Sequence, residues 1–118
     1  ILLDVPCSGL GIIRKKPEIK YQKTIKDLKD IRDIQIDIME NAWSYLKSGG
    51  VMVYSTCTLN KEENEYNVKE FLRKHENCEV EKIFIGNLPN FIYNEDGTLT
   101  ILPNEFMDGF YMAKLKKR

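Results

Sequence analysis

The chain has 118 residues, 42% of them hydrophobic and 31% charged, which suits one globular domain and leaves too little chain for two independent cores. Eighteen basic residues against eighteen acidic ones cancel, so no basic footprint for nucleic acid covers the whole chain, and no apolar run nears the roughly 20 residues of a bilayer-spanning helix. Three cysteines with no Cys-x-x-Cys suggest neither a disulfide framework nor a zinc site, and a reducing, cytoplasmic compartment fits best.

Ile1-Leu2-Leu3-Asp4-Val5 is a short apolar run ending at Pro6, the pattern of a strand buried on both faces of a parallel sheet. Its start inside such a strand, without Met or a basic leader, reads as a piece of a longer protein. Residues 7–11 form a turn with two glycines. Residues 14–29 carry seven cations against Glu18 and Asp27, a local net of +5. A long helix is expected over about 25–47, with Thr24 as N-cap. Its inward stripe would be Leu28, Ile31, Ile34, Ile38, Ala42 and Tyr45, ended by Gly49-Gly50. Residues 51–55 read as a second buried strand running into Thr56-Cys57-Thr58. Asn60 and Glu63 resemble a capping box for a helix over 61–76 with Val68, Phe71 and Leu72 inward. A strand over 80–85, a loop through Asn94-Glu95-Asp96-Gly97 and a final strand near 109–115 complete the order. The pattern is α/β, with parallel strands, helical crossovers and a last strand running antiparallel.

Ligands and reacting groups in such sheets gather beyond the carboxyl ends of parallel strands. Cys7 and Cys57 both sit there, each beside small hydroxyl residues, and if the two strands are neighbours both thiols open into one crevice. Cys78 reads as core. Gly9-Leu10-Gly11 fails as a dinucleotide loop because position 14 is Arg14. His75, the only histidine, reads as an exposed helix end, and Glu62, Glu63 and Glu65 as a solvated first helical turn that suits the helix dipole rather than metal ligands. Arg14, Lys15 and Lys16, close after the Cys7 turn, are candidates for phosphate contact. Lys114 to Arg118 reads as a frayed, solubilising tail.

Three stretches together resemble the Sun (Fmu) family of S-adenosylmethionine-dependent RNA cytosine-5 methyltransferases, in particular its bacterial small-subunit rRNA members. They are Leu3-Asp4-Val5-Pro6-Cys7-Ser8-Gly9-Leu10-Gly11 with Arg14 to Tyr21, Tyr54-Ser55-Thr56-Cys57-Thr58-Leu59 with Glu62-Glu63-Asn64-Glu65, and Leu102-Pro103 with Asp108-Gly109-Phe110-Tyr111. Phe106-Met107 departs from relatives that often carry a histidine nearby.

The resemblance implies the C-terminal half of a Rossmann-like methyltransferase sheet. The glycine-rich cofactor loop is missing, so the fragment alone is expected to be inactive and to bind S-adenosylmethionine weakly or not at all. Spacing does not decide which cysteine attacks cytosine C6. The family assigns that role to the Thr-Cys cysteine, here Cys57, and product release to the Pro-Cys cysteine, here Cys7. Asp4 matches its acidic position beside the methyl donor. The substrate implied is RNA, with ribosomal and transfer RNA barely separated by sequence. A non-catalytic RNA-binding module with core cysteines is the reading from another class.

Overall fold

The computed structural model describes residues 1–6, 25–105 and 109–118, the side chains of 25–28 excepted. Cys7, Arg14, Lys15, Lys16, Thr24 and Asp108 therefore lie outside the described residues, as does the side chain of Leu28.

The elements in chain order are β1 (Leu2–Asp4), α1 (Ile25–Tyr45), β2 (Val51–Thr56), α2 (Glu65–Lys74), β3 (Cys78–Glu81), β4 (Phe91–Tyr93), β5 (Leu99–Ile101) and β6 (Phe110–Lys117). β1 and β2 are parallel neighbours, with Asp4 opposite Ser55. β6 runs antiparallel to β2 on its other side. The far edge of β6 is shared: β5 takes Phe110 to Met112, β3 takes Lys114 to Lys117, and β4 pairs with β5. β2 and β3 thus point the same way with the antiparallel β6 between them, so the crossover expected between neighbouring parallel strands joins strands one position apart.

Alternate residues of β2 and β6 (Met52, Tyr54, Tyr111, Ala113 and Leu115) face both helices and form the core with Met39, Ala42 and Trp43 of α1 and Val68 and Phe71 of α2. Trp43 meets Phe71 edge to face, with ring centroids 5.2 Å apart.

Several sequence expectations need correction. The inward stripe of α1 is Gln35, Met39, Ala42 and Trp43 with Ile38 packed against the core as expected, while Ile34 is 49% and Tyr45 77% exposed. The helix is rotated so that a polar Gln35 takes the buried position beside β2. β1, outermost among the described strands, has one face on the core through Leu3, while Leu2 on the other is largely exposed. β3 ends at Glu81 rather than Ile85 because the next stretch of the β6 edge is already paired with β5.

The loop around Asn94 is the turn of a β4–β5 hairpin. Gly97 takes φ +94°, and the Asn94 N–H bonds to the Thr98 carbonyl at 2.9 Å. His75 is not an exposed helix end: it caps α2, stacks on Phe71 with centroids 4.3 Å apart, and pairs with Glu40 at 2.9 Å.

The basic C-terminus is not a frayed tail. Lys114 and Lys116 pair with Glu81 at 3.1 and 3.7 Å, and Arg118 lies 3.7 Å from Glu79. Lys117 Nζ donates to the carbonyls of Trp43 (3.0 Å) and Leu46 (2.8 Å) at the end of α1, where the Trp43 carbonyl also accepts the Leu46 N–H (3.1 Å). Lys117→Met, which keeps the stem and removes both charge-assisted bonds, is expected to destabilise the domain by about 1–2 kcal/mol. Urea denaturation of the full-length protein checks it.

Candidate active site

β2 delivers Cys57 to the carboxyl edge of the sheet. Ser55 is the last β2 residue paired with β1, Thr56 is still strand, and Cys57 follows, partly exposed. On the neighbouring strand Asp4 ends β1, exposed, and the Val5 N–H bonds to the Ser55 carbonyl at 3.2 Å. The neighbour condition for a shared crevice is therefore met by the two strands, and the chain leaves the described residues at Pro6, immediately before Cys7.

The Cys57 turn is held by buried polar groups. Both flanking threonines are fully buried and tied to one side chain: Thr56 Oγ1 donates to Asn64 Oδ1 (2.5 Å), and Asn64 Nδ2 donates to the Thr58 carbonyl (2.9 Å). Asn64 is the N-cap residue of α2, yet its side chain makes no cap bond, because it is spent on the two residues that bracket Cys57. Asn60, expected as the cap, accepts the Glu62 N–H on Oδ1 (3.2 Å) at the start of the turns before α2 and donates from Nδ2 to Glu63 Oε2 (2.9 Å), and its backbone N–H reaches Thr58 Oγ1 (3.1 Å). Residues 61–64 form turns, so α2 proper starts four residues later than expected.

Glu63 is completely buried, which overturns its place in a solvated helical turn. Its other oxygen, Oε1, accepts from Gln35 Nε2 (3.1 Å), and its carbonyl accepts from the Tyr54 hydroxyl (2.6 Å) and Asn67 Nδ2 (3.1 Å). Gln35 Nε2 also donates to the Pro6 carbonyl (2.8 Å). Gln35 Oε1 accepts from Asn67 Nδ2 (2.9 Å), and Asn67 Oδ1 accepts from Arg32 Nε (3.1 Å). Gln35, Asn64 and Asn67 are functional candidates that the sequence reading missed. The one visible signal was the Asn60–Glu63 spacing: the two side chains do meet, and the other oxygen of Glu63 reaches Gln35.

Glu65 differs from Glu63. Burial raises its carboxyl above the ordinary range, Lys61 opposes that and Asp96 adds to it. It lines a cleft of about 730 Å³ between the start of α2 and the β4–β5 hairpin, with Leu59, Tyr66, Ile92, Asp96 and Leu102.

The two described cysteines contrast sharply. Cys78 is 7% exposed, and burial pushes its thiol up to about 11. At pH 8 only about one such thiol in a thousand is thiolate, and the fraction grows as pH climbs toward 11. In the full-length protein, alkylation at pH 8 is expected to label Cys57 at least about tenfold faster than Cys78, read by peptide mass spectrometry. Equal slow labelling of both would favour core cysteines and the binding-module reading.

A mixed sheet with an antiparallel β6 inserted, two helices packed on one face and a cysteine turn at the carboxyl edge defines a Rossmann-like α/β domain of the methyltransferase kind. Solved structures agree. NSun6 from Pyrococcus horikoshii, crystallised with SFG, superposes with a TM-score of 0.78 at 38% identity, covering 99% of this chain and 29% of that one. A methyltransferase homolog protein from Pyrococcus horikoshii gives a TM-score of 0.79 at 31% identity, covering 100% of this chain and 38% of that one.

Residues 1–116 match the family of the 16S rRNA methyltransferase RsmB/F, and the chain belongs to it. Among curated relatives, the probable ribosomal RNA small subunit methyltransferase B of Bacillus subtilis (strain 168) is 38% identical over the whole chain. The chain spans 27% of that relative's length. No helix among the described residues is long and apolar enough to cross a membrane.

Proposed function

We propose that this chain is the C-terminal part of the catalytic domain of an enzyme that methylates C5 of a cytidine in small-subunit ribosomal RNA, using S-adenosylmethionine and a covalent Cys57–C6 adduct. The observation that carries the reading is the placement of Cys57: partly exposed at the carboxyl edge, one strand from Asp4, in a turn whose neighbours Thr56 and Thr58 are pinned. Family membership and the Bacillus subtilis relative's name support the ribosomal substrate. SFG, an analogue of S-adenosylmethionine, in the NSun6 crystals supports the cofactor.

Cytosine C5 is too weak a nucleophile to take a methyl group unaided. Cys57 Sγ, as thiolate, would bond to C6 and push the ring electrons toward C5, which would take the methyl group as the methyl–sulfur bond of the donor breaks and its electron pair leaves with sulfur as a neutral thioether. A base removes the C5 proton, the electron pair returns to the ring, and the C6–Sγ bond breaks. The resemblance gives Cys7 a part in that release. Pro6, with its fixed φ, sets the course of the chain into Cys7.

S-adenosylmethionine, when bound, supplies an electrophilic methyl on sulfur. Of the described residues Asp4 fits it, as an exposed carboxylate at the carboxyl end of β1 facing the same edge as Cys57. Arg14, Lys15 and Lys16 contact the RNA backbone in this reading, and a target base within a stem is flipped out to reach Cys57.

The test is a covalent trap with the full-length protein, S-adenosylmethionine and small-subunit rRNA in which cytidine is replaced by 5-fluorocytidine. Fluorine at C5 cannot leave as a proton does, so the adduct persists. A denaturant-stable protein–RNA species that needs both the cofactor and the RNA is the expected result. Its absence on ribosomal RNA and appearance on transfer RNA would move the substrate class; absence on both would sink the enzymatic reading.

A further inference from the structure

Gln35 occupies a core position of α1, in line with Met39 and Ala42, where an apolar side chain would pack at lower cost. It is completely buried, and every polar atom of its amide is used. One Nε2 hydrogen goes to the Pro6 carbonyl, the other to Glu63 Oε1, and Oε1 accepts from Asn67. Turning the amide over would oppose oxygen to both acceptors and nitrogen to the Asn67 donor, losing all three bonds, so its orientation is locked. From Pro6 the path runs through Gln35 and Glu63 to Asn60, whose backbone N–H holds Thr58 Oγ1 beside Cys57. One amide thus joins the residue before Cys7 to the turn that carries Cys57.

We propose that Gln35 is a positioning residue: beyond the β1–β2 ladder, its one amide ties the chain at Pro6 to the turn that carries Cys57. The inference rests on the reading of Cys57 as nucleophile. Two thiols that act in turn on one ring must be held at a set distance from each other, and an error near 1 Å in such a geometry costs roughly 10²-fold in rate.

Two variants of the full-length protein test it. Gln35→Met keeps length and volume and removes the amide. Gln35→Glu keeps the shape but offers no hydrogen when ionised and one when protonated. The groups that face this position are Glu63 from the β2–α2 turn, Arg32 through Asn67 from α1, and Tyr54 from β2. With Glu63 opposite, the introduced carboxyl gains a hydrogen as pH falls. At pH 8 both variants are expected to lose about 30-fold in kcat with KM for RNA within about twofold. At pH 6 the Glu variant should regain about fivefold relative to wild type, and the Met variant should not. Unchanged kcat in both, with only a lowered unfolding midpoint, would make Gln35 merely structural and overturn the proposal.

If wild type methylates no RNA, the Cys57 reading fails by itself, and Gln35 is judged by Cys57 alkylation. A Glu-variant rate that departs from wild type at pH 8 and returns toward it at pH 6 keeps the clamp. Rates identical to wild type at both pH values overturn it.

Discussion

Cys57→Ala in the full-length protein is expected to abolish methyl transfer, with kcat down by at least about 10⁴-fold, because in the proposed mechanism the bond to C6 is formed by Cys57 Sγ. The fold should survive. Cys57 is partly exposed and lies outside the buried core cluster, and the threonines on either side of it are tied to Asn64. Cys7→Ala should behave in the opposite sense. If Cys7 serves release, its loss lets Cys57 attack and leaves the enzyme bound covalently to RNA, so an adduct accumulates on unmodified RNA with the natural cytidine. Gel electrophoresis under denaturing conditions separates the outcomes: no adduct with Cys57→Ala, a persistent one with Cys7→Ala. The reverse pattern would make Cys7 the nucleophile, as in the arrangement used by DNA cytosine-5 methyltransferases, and would withdraw the roles assigned here.

The frame of the fold was readable because it follows periodicity. An unbroken apolar run, Val51 to Tyr54, gives β2, Val68 and Phe71 at helical spacing give the inner face of α2, and the absence of a helix before the last strand gives its antiparallel sense. What escaped depends on tertiary competition for the same edge. Nothing local to Lys82 or Phe84 says that the β6 edge ahead of them is taken by β5. The hairpin was legible in principle, since Asp96-Gly97 lies between Phe91-Ile92-Tyr93 and Leu99-Thr100-Ile101, a turn signal flanked by strand-forming residues. The position of Cys57 was readable, as a residue just past a buried strand. The groups that hold it were not, because Gln35, Glu63, Asn64 and Asn67 are polar residues on or beside helices, and polarity there is ordinarily solvent-facing. Their burial makes sense only as a set, each satisfying the next. A pattern of apolar residues cannot reveal a core whose centre is hydrogen-bonded.

That set makes Glu63 the position of largest expected structural cost. Glu63→Ala would strand one Nε2 hydrogen of Gln35 in a dry interior, take the acceptor from one Nδ2 hydrogen of the half-buried Asn60 and open a cavity beside Gln35. A destabilisation of about 3–4 kcal/mol is expected, read as a fall in the urea midpoint of the full-length protein at unchanged slope. Glu63→Gln keeps the volume and one acceptor but turns an NH₂ group toward one of the two amide donors, so about half that loss is expected. The two variants separate packing from hydrogen bonding. Equal losses would mean that the acceptors matter and the volume does not, while a neutral Gln variant would mean that the site is mainly filled space. If Glu63 holds the Cys57 turn as its contacts indicate, Glu63→Gln should also alter the alkylation rate of Cys57 while Cys78 stays slow, since Cys78 is protected by burial at the far end of the sheet rather than by this network.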